Sequence, residues 1–320
     1  AGDLHCTGHP YAKTPNLDKL ADQGIQFNRA YMAGAWCSPS RYGLMSGQFP
    51  GRTFDRTKNL DPDEPNVTRL LKDAGYTTGH FGKWHLGTLT RDIKDSNRGG
   101  KDHIEHYAPP WENGFDVCFS TEAKLPTYNP MLTPIGWQGN KDGDKAFGTY
   151  YWNEKGEIVS ENLEGDDSEI IMNRVIPFLE QAVRKKVPFF TVIWFHTPHL
   201  PVLADSIHRA MYPRYSNEEK NYVGCITAMD EQIGRLNNKV RDLKISENTL
   251  VWFTSDNGPE GKLQDQDFPG SAGELRGRKR SLYEGGIRGP GILKWPLVVE
   301  QGRTSGMPGS TLDYFPTIVD

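Results

Sequence analysis

The sequence predicts an α/β fold in which a mostly parallel central sheet is flanked by helices. Two short apolar runs, Pro188–Phe195 (PFFTVIWF) and Thr249–Thr254 (TLVWFT), are typical of strands buried on both faces of a parallel sheet. Two long segments, Asp167–Lys185 and Glu218–Leu243, carry apolar residues at helical spacing. Buried strands that alternate with amphipathic helices are the pattern of an α/β domain.

Shorter elements surround these four segments. Near the N-terminus, Thr14-Pro15 is a helix start signal, and the predicted helix ends at Gly24. A short amphipathic helix is predicted over Asn66–Gly75, followed by a strand over Tyr76–Phe81. Ile287–Leu293 is predicted as a further strand.

The stretch from about Leu89 to Glu164 has a different composition and is predicted as a loop-rich insertion. It is rich in Gly, Pro, Asp, Asn and Lys, and its poor periodicity predicts loops and short hairpins, with a turn at Asn153–Gly156. Its aromatic residues either stack on a sugar ring or, more commonly for such rings, hold the insertion together. They are Tyr107, Trp111, Tyr128, Trp137, Tyr150, Tyr151 and Trp152.

Length, net charge and cysteine spacing restrict the functions that the chain can have. The 320 residues are enough for one large domain or two smaller ones. A net charge of −4 lacks the basic signature of a nucleic-acid partner, and no apolar run is long enough to span a bilayer. The four cysteines have no metal-finger spacing, and Cys6 and Cys118 either pair or stay free.

The most informative stretch is Cys37-Ser38-Pro39-Ser40-Arg41. Proline is favoured in the first turn of a helix, so a helix starting at Pro39 would place Cys37 just ahead of its N-terminus. The helix dipole and the unbonded backbone N–H groups favour an anion there. Arg41 would add a fixed positive charge on the same side. A lone cysteine in such a turn is most often a buried structural residue.

Two further polar clusters contain lysine and histidine. Gly82-Lys83-Trp84-His85-Leu86-Gly87 follows a predicted strand, and its glycines permit tight turns that bring Lys83 and His85 close to a ligand. His196 and His199 follow the apolar run that ends at Phe195. Side chains at the carboxyl ends of such strands line the binding crevice of open α/β sheets.

Two clusters near the C-terminus suit a metal ion and an anion. Asp256 and Asn257 follow the apolar run Thr249–Thr254 and offer hard oxygen ligands for calcium or magnesium, although an Asx turn is the common alternative. The basic stretch Arg276–Arg280 either binds a small anion or is a solvated loop.

Read together, these motifs resemble the signatures of the type I sulfatases. The stretch Cys37–Arg52 (CSPSRYGLMSGQFPGR) resembles the first signature, in which the cysteine is oxidised after translation to formylglycine. GKWHLG, HTPHLP, SDNG and the block Gly273–Pro296 resemble the later ones. The resemblance implies an alkaline-phosphatase-like sandwich, with residues 1–320 as the catalytic domain.

The resemblance also implies a reaction, the hydrolysis of a sulfate monoester in which a hydroxyl of hydrated formylglycine attacks sulfur. A sulfated carbohydrate is the expected substrate. The implied catalytic residues are Cys37 (as formylglycine), Arg41, Lys83, His85, His199 and Lys279, with His196 as a helper. His199, or Lys279 through it, would protonate the leaving alkoxide, and His85 would deprotonate the second hydroxyl. The implied metal is Ca²⁺, with Mg²⁺ as the alternative, and its ligands are Cys37 as formylglycine, Asp256 and Asn257.

Two parts of the family pattern fall outside the sequence. An adjacent Asp-Asp pair that binds the metal is expected upstream of residue 1, and a small C-terminal subdomain is expected after residue 320. The resemblance implies a formylglycine-generating enzyme as maturation partner and a periplasmic or secreted location. Two alternatives stay open, namely a phosphonate or phosphate ester hydrolase of the same superfamily and a non-catalytic binder of sulfated glycans.

Overall fold

The computed structural model describes residues 2–52, 59–95, 98–261 and 268–320. These residues form two compact units, of which the first combines 2–52 with 230–318 and the second contains 59–229. Residues 96 and 97 of the predicted insertion lie outside the described residues. The assignment of 1–320 to one catalytic domain stays a prediction. No helix in the described ranges has the length and apolar character that crossing a membrane requires.

The helices and strands are numbered in chain order. The described helices are α1 (Pro15–Asp22), α2 (Cys37–Ser46), α3 (Val67–Asp73), α4 (Asp167–Lys185), α5 (Ser206–Ala210), α6 (Asn217–Asp242), α7 (Glu284–Ile287) and α8 (Tyr314–Val319). The described strands are β1 (Ile25–Phe27), β2 (Ala30–Tyr31), β3 (Thr77–Lys83), β4 (Lys94–Asp95), β5 (Arg98–Gly99), β6 (Val117–Thr121), β7 (Tyr151–Asn153), β8 (Ile158–Val159), β9 (Phe189–Trp194), β10 (Val251–Thr254), β11 (Arg288–Gly289), β12 (Gly291–Lys294), β13 (Arg303–Ser305) and β14 (Gly309–Ser310).

The first unit is built from two separate segments of the chain. Its four-stranded sheet has the order β10-β12-β1-β13, so β1 from the N-terminal segment lies between two strands of the C-terminal one. Asp230 of α6 accepts hydrogen bonds from the backbone N–H groups of Asn16 and Leu17, at 3.0 and 2.7 Å. These N–H groups lie in the first turn of α1, where no helical partner exists, so Asp230 caps that helix from a distant part of the sequence. Leu17 and Leu20 of α1 are fully buried.

The second unit contains a five-stranded sheet with the order β8-β7-β6-β3-β9. Its central strand, β3, is parallel to both β6 and β9, whereas β6, β7 and β8 pair in antiparallel fashion. Helix α4 packs on this sheet, where the rings of Phe178 and Phe81 lie 5.6 Å apart. The carboxyl ends of β3 and β9 therefore meet at one edge of the sheet.

The α/β class is confirmed, but the sheets are mixed and not mostly parallel. The strand β6 was missed, because it lies inside the region predicted as loops. The β7–β8 hairpin around Asn153–Gly156 is confirmed, and it adds the antiparallel edge. The predicted strand Ile287–Leu293 is divided at Pro290 into β11 and β12, since proline has no N–H group for the sheet.

Candidate active site

Cys37 is the first residue of helix α2, two residues earlier in the helix than predicted. Proline at the third helical position is tolerated, because N–H groups in the first turn have no helical partner. The Cys37 side chain is buried at the helix N-terminus, where backbone N–H groups and the dipole favour an anion. Arg41 lies one turn further on, so both side chains share a face of α2.

Arg41 connects this helix to the loop that follows β10. Its Nε and Nη2 donate hydrogen bonds of 3.0 and 2.8 Å to Oδ2 of Asp256. The Arg41 side chain is only 6% exposed, and that of Asp256 is 24% exposed. Two donors on one oxygen fix the orientation of the Asp256 carboxylate within the first unit.

Asn257 supplies the observation that tests the predicted metal site. Its Nδ2 donates to the carbonyl of Gly258 at 2.8 Å, and Ser255 Oγ donates to its backbone carbonyl at 3.0 Å. Its Oδ1, however, is buried and accepts no hydrogen bond from the described residues. An unsatisfied buried oxygen costs free energy, and a bound cation would satisfy it. Together with the Asp256 carboxylate, it forms a hard oxygen donor set that fits Ca²⁺ or Mg²⁺.

Lys279 is a buried lysine held by a carboxylate that the sequence analysis missed. Its Nζ lies 3.1 Å from Oε2 of Glu260, which also accepts a hydrogen bond from Arg280. Burial alone would raise the pKa of Glu260, but the Arg280 hydrogen bond and the Lys279 charge outweigh it and lower the pKa to about 2. The Arg280 N–H also donates to the carbonyl of Ala35 at 2.7 Å, which ties the basic loop to the segment before Cys37.

In the second unit, Lys83 and His85 lie at the carboxyl end of β3, as predicted. Lys83 is the last residue of β3, is buried, and lies in register with Thr121 of β6. His85 has a φ of 57°, a left-handed conformation that non-glycine residues rarely adopt and that is concentrated at functional sites. A Cβ at Gly82 would lie 2.1 Å from the carbonyl oxygen of Trp194, so only glycine lets β3 and β9 approach this closely.

The two histidines after β9 have different environments. His199 Nδ1 donates to the carbonyl of Leu200 at 2.8 Å, which places the proton of the neutral ring on Nδ1. His196 is buried, with Nδ1 2.7 Å from Oδ2 of Asp167 and Nε2 2.7 Å from Oγ1 of Thr121. Both ring nitrogens of His196 thus contact protein groups, which supports positioning and not proton transfer to substrate.

The His196 network extends into the predicted insertion. Tyr151 of β7 donates its hydroxyl to Asp167, the first residue of α4. Tyr151 and Trp152 are buried, so these two rings hold the insertion together as the more common alternative predicted. Trp152 also donates its Nε1–H to Asp95. These partners could not be predicted from local patterns, because Asp95, Tyr151 and Asp167 are distant in sequence and meet only in the fold.

The structure therefore divides the predicted residues between the two units. Cys37, Arg41, Asp256, Asn257 and Lys279 belong to the first unit. The second unit carries the other four at the carboxyl ends of two neighbouring parallel strands, namely Lys83, His85, His196 and His199. That both groups act on a single sulfate group stays a prediction.

Comparison with known proteins identifies sulfatases among the relatives. The family described as "Sulfatase" matches residues 1–320. N-acetylgalactosamine-6-sulfatase of Canis lupus familiaris is 31% identical over 332 residues, which cover 99% of this chain and 59% of the relative. N-acetylgalactosamine-6-O-sulfatase of Bacteroides thetaiotaomicron is 30% identical over 372 residues, covering 99% of this chain and 69% of the relative. The chain thus spans about 59% of the length of the mammalian relative.

Solved structures agree with these relatives. The crystal structure of Ps i-CgsB in complex with k-i-k-neocarrahexaose has a TM-score of 0.81 and 30% identity, over 99% of this chain and 68% of the other. The phosphonate monoester hydrolase of Agrobacterium radiobacter shares the fold, with a TM-score of 0.63 and 19% identity over 99% of this chain and 70% of the other. These likenesses support the predicted alkaline-phosphatase-like fold. Motifs, fold and relatives lead to one conclusion, that the chain belongs to the sulfatase family.

Proposed function

We propose that this chain hydrolyses sulfate monoesters to an alcohol and inorganic sulfate. The observation that carries the proposal is the Arg41–Asp256 contact, because it joins the helix that begins with Cys37 to the loop of candidate metal ligands. A sulfate ester repels anionic nucleophiles, so its hydrolysis needs a strong nucleophile beside concentrated positive charge. The buried cations Lys83 and Lys279 fit that requirement.

The proposed substrate class is a sulfated carbohydrate. The relatives include enzymes named for a sulfated amino sugar, and a structural relative is described in complex with neocarrahexaose. Trp36, which directly precedes Cys37, is 48% exposed. An exposed indole beside the nucleophile offers a flat apolar face on which a sugar ring can stack.

In the proposed mechanism, oxidation of Cys37 to formylglycine supplies a hydrated aldehyde whose hydroxyl is the nucleophile. Asp256 and Asn257 would hold Ca²⁺, or alternatively Mg²⁺, which when bound supplies Lewis-acid stabilisation of the sulfate oxygens. The Asp-Asp pair expected upstream of residue 1 would add further oxygen ligands. Arg41 fixes the Asp256 carboxylate in place.

The remaining residues neutralise charge and move protons. Lys83 and Lys279 stabilise negative charge on the transferring group. His199 in its protonated form, with Nδ1–H donated to Leu200, gives its Nε2 proton to the leaving oxygen, with Lys279 acting through it as the alternative donor. His85 accepts the proton that is released when sulfate departs. We also propose a formylglycine-generating enzyme as partner and a periplasmic or secreted location, as for glycan-desulfating members of the family.

The test uses full-length protein matured by a formylglycine-generating enzyme. Release of free sulfate is followed over a panel of sulfated mono- and oligosaccharides, with aryl sulfate and aryl phosphonate in parallel. We expect sulfated sugars to be turned over, the Cys37→Ala variant to be inactive, and the Cys37 peptide to have lost its sulfur by mass spectrometry. Turnover by protein with an unmodified cysteine would contradict the mechanism. Preferred phosphonate turnover would favour the phosphonate hydrolase, and glycan binding without turnover would favour the non-catalytic binder.

A further inference from the structure

A second group of side chains of metal-ligating type lies in the short 3₁₀ segment Lys101–His106, outside the residues of the proposed sulfatase mechanism. His103, Glu105 and His106 each offer one ligand atom, and these three atoms lie within 4.8 Å of one another. We propose that these residues form a binding site for one Zn²⁺ ion. The proposal is independent of the proposed sulfatase activity.

The local backbone explains why the three side chains converge. The backbone is kinked at His103, whose φ of −133° and ψ of 21° are not helical, and beyond this kink the rings of His103 and His106 face each other. Their rings stack at an angle of 22° with centroids 6.3 Å apart. Oε1 of Glu105 lies 3.3 Å from Nε2 of His106. Ligand atoms around a tetrahedral zinc ion lie roughly 3.4 Å apart, given zinc–nitrogen bonds of about 2.1 Å, so this pair already has suitable spacing.

The turn that carries these ligands is anchored to the described structure around it. The N–H of Thr88 donates to the carbonyl of His106 at 2.7 Å, and the N–H of Ala108 donates to the carbonyl of Thr88 at 3.2 Å. His106 is only partly exposed, and its Nδ1 is buried without a hydrogen bond to the described residues. An anchored backbone reduces the conformational entropy that metal binding must overcome.

The chemistry of the ligand set selects the metal. Two imidazoles and one carboxylate suit zinc, whereas calcium prefers oxygen ligands such as those of Asp256 and Asn257. Three protein ligands leave a fourth tetrahedral position for water. Since Thr88 follows directly after the GKWHLG motif, the bound ion would also stiffen the segment that continues from Lys83 and His85.

The experiment titrates ZnCl₂ into full-length protein that carries no polyhistidine tag, in excess Ca²⁺, by isothermal titration calorimetry. We expect one zinc ion per chain, and an affinity at least tenfold lower in each of His103→Ala and His106→Ala, equivalent to about 1.4 kcal/mol. Glu105→Gln, which removes the charge but keeps the size, should also weaken binding. The matched control is His5→Ala, because His5 also pairs with a carboxylate, that of Asp18 at 2.7 Å, but lies outside the cluster.

A second measurement needs no variant. Diethyl pyrocarbonate modifies accessible imidazoles, and peptide mass spectrometry should show that Zn²⁺ slows modification of His103 and His106 but not of His5. The proposal would be overturned if the double variant His103→Ala/His106→Ala bound zinc as tightly as the unchanged chain. Zinc binding that leaves the modification of both histidines unaffected would overturn it as well.

Discussion

Arg41 places two of its nitrogens, Nε and Nη2, within 3.0 Å of a single oxygen of Asp256. One residue comes from the helix that starts with the candidate nucleophile, and the other from the loop with the candidate metal ligands. Mutating a group that orients a metal ligand commonly lowers metal affinity or activity 10- to 100-fold. The contact thus links the candidate nucleophile to the candidate metal ligands, which belong to separate sequence motifs.

The first prediction concerns Arg41→Lys. Lysine keeps the positive charge but cannot donate from two fixed positions, so the Asp256 carboxylate loses its orientation. We expect kcat/KM for an aryl sulfate to fall about 10- to 100-fold, and the Ca²⁺ concentration for half-maximal activity to rise. The control is Arg288→Lys, because Arg288 pairs with Glu284 near the surface at 2.8 Å. An Arg41→Lys variant with an unchanged calcium requirement would contradict this role.

The second prediction concerns Glu260→Gln. Removing the Glu260 charge leaves Lys279 and Arg280 without their shared counter-charge, so the local positive potential increases. We expect inorganic sulfate to inhibit more strongly, by several-fold at low ionic strength, while kcat falls because Lys279 is less firmly held. Inhibition constants for sulfate at two salt concentrations measure the effect. The control is Glu300→Gln, because Glu300 forms an exposed ion pair with Arg303. Equal inhibition constants for Glu260→Gln and Glu300→Gln would refute the prediction.

The third prediction concerns Asp167→Asn, which breaks the buried contact to His196. Leaving a buried polar group poorly satisfied commonly costs about 1–3 kcal/mol, so we expect the free energy of unfolding to fall by that order. If His196 only positions the loop that carries His199, kcat should fall while the pH profile of kcat keeps its shape. Asp205→Asn is the matched comparison, since Asp205 pairs with His208 in a more exposed setting. A loss of stability no larger than that of Asp205→Asn would count against the buried network.

The fourth prediction concerns the pH dependence of stability. Burial, with the adjacent Asp167 charge as the next cause, raises the pKa of Asp166 to about 7. Since folding raises the pKa of this acid, its stabilising contribution is complete below the unfolded value near 3.9 and is lost as the pH rises through 7. The free energy of unfolding should decline by up to about 1.4 kcal/mol per pH unit in that window.

Asp166→Asn separates this titration from the capping role of the same side chain. Asp166 Oδ1 accepts the Glu169 N–H at 3.1 Å, and asparagine caps helices equally well. Urea unfolding at several pH values should give a shallower decline in the variant. Some decline should remain, because burial also raises the pKa of Asp95 to about 7. Identical slopes in both proteins would show that Asp166 is already ionised in the folded state.

How much the sequence could predict depended on the range of the interactions. Helix α4 has the predicted bounds because its apolar periodicity is local to the segment. The motif residues at the ends of β3, β9 and β10 were also identifiable, since each follows a segment predicted as a strand. Glu260 and Asp167 were not, because their partners Lys279 and His196 are distant in sequence and meet only in the fold.

The cap that Asp230 provides to helix α1 has a consequence for biosynthesis. Asn16 and Leu17 leave the ribosome well before Asp230, because residues 18–229 must be translated in between. At typical rates of 5–20 residues per second, the delay is on the order of ten to forty seconds. During it, helix α1 lacks the cap from Asp230, so Leu17 and Leu20 can reach their final packing only after the C-terminal segment of the first unit has been made.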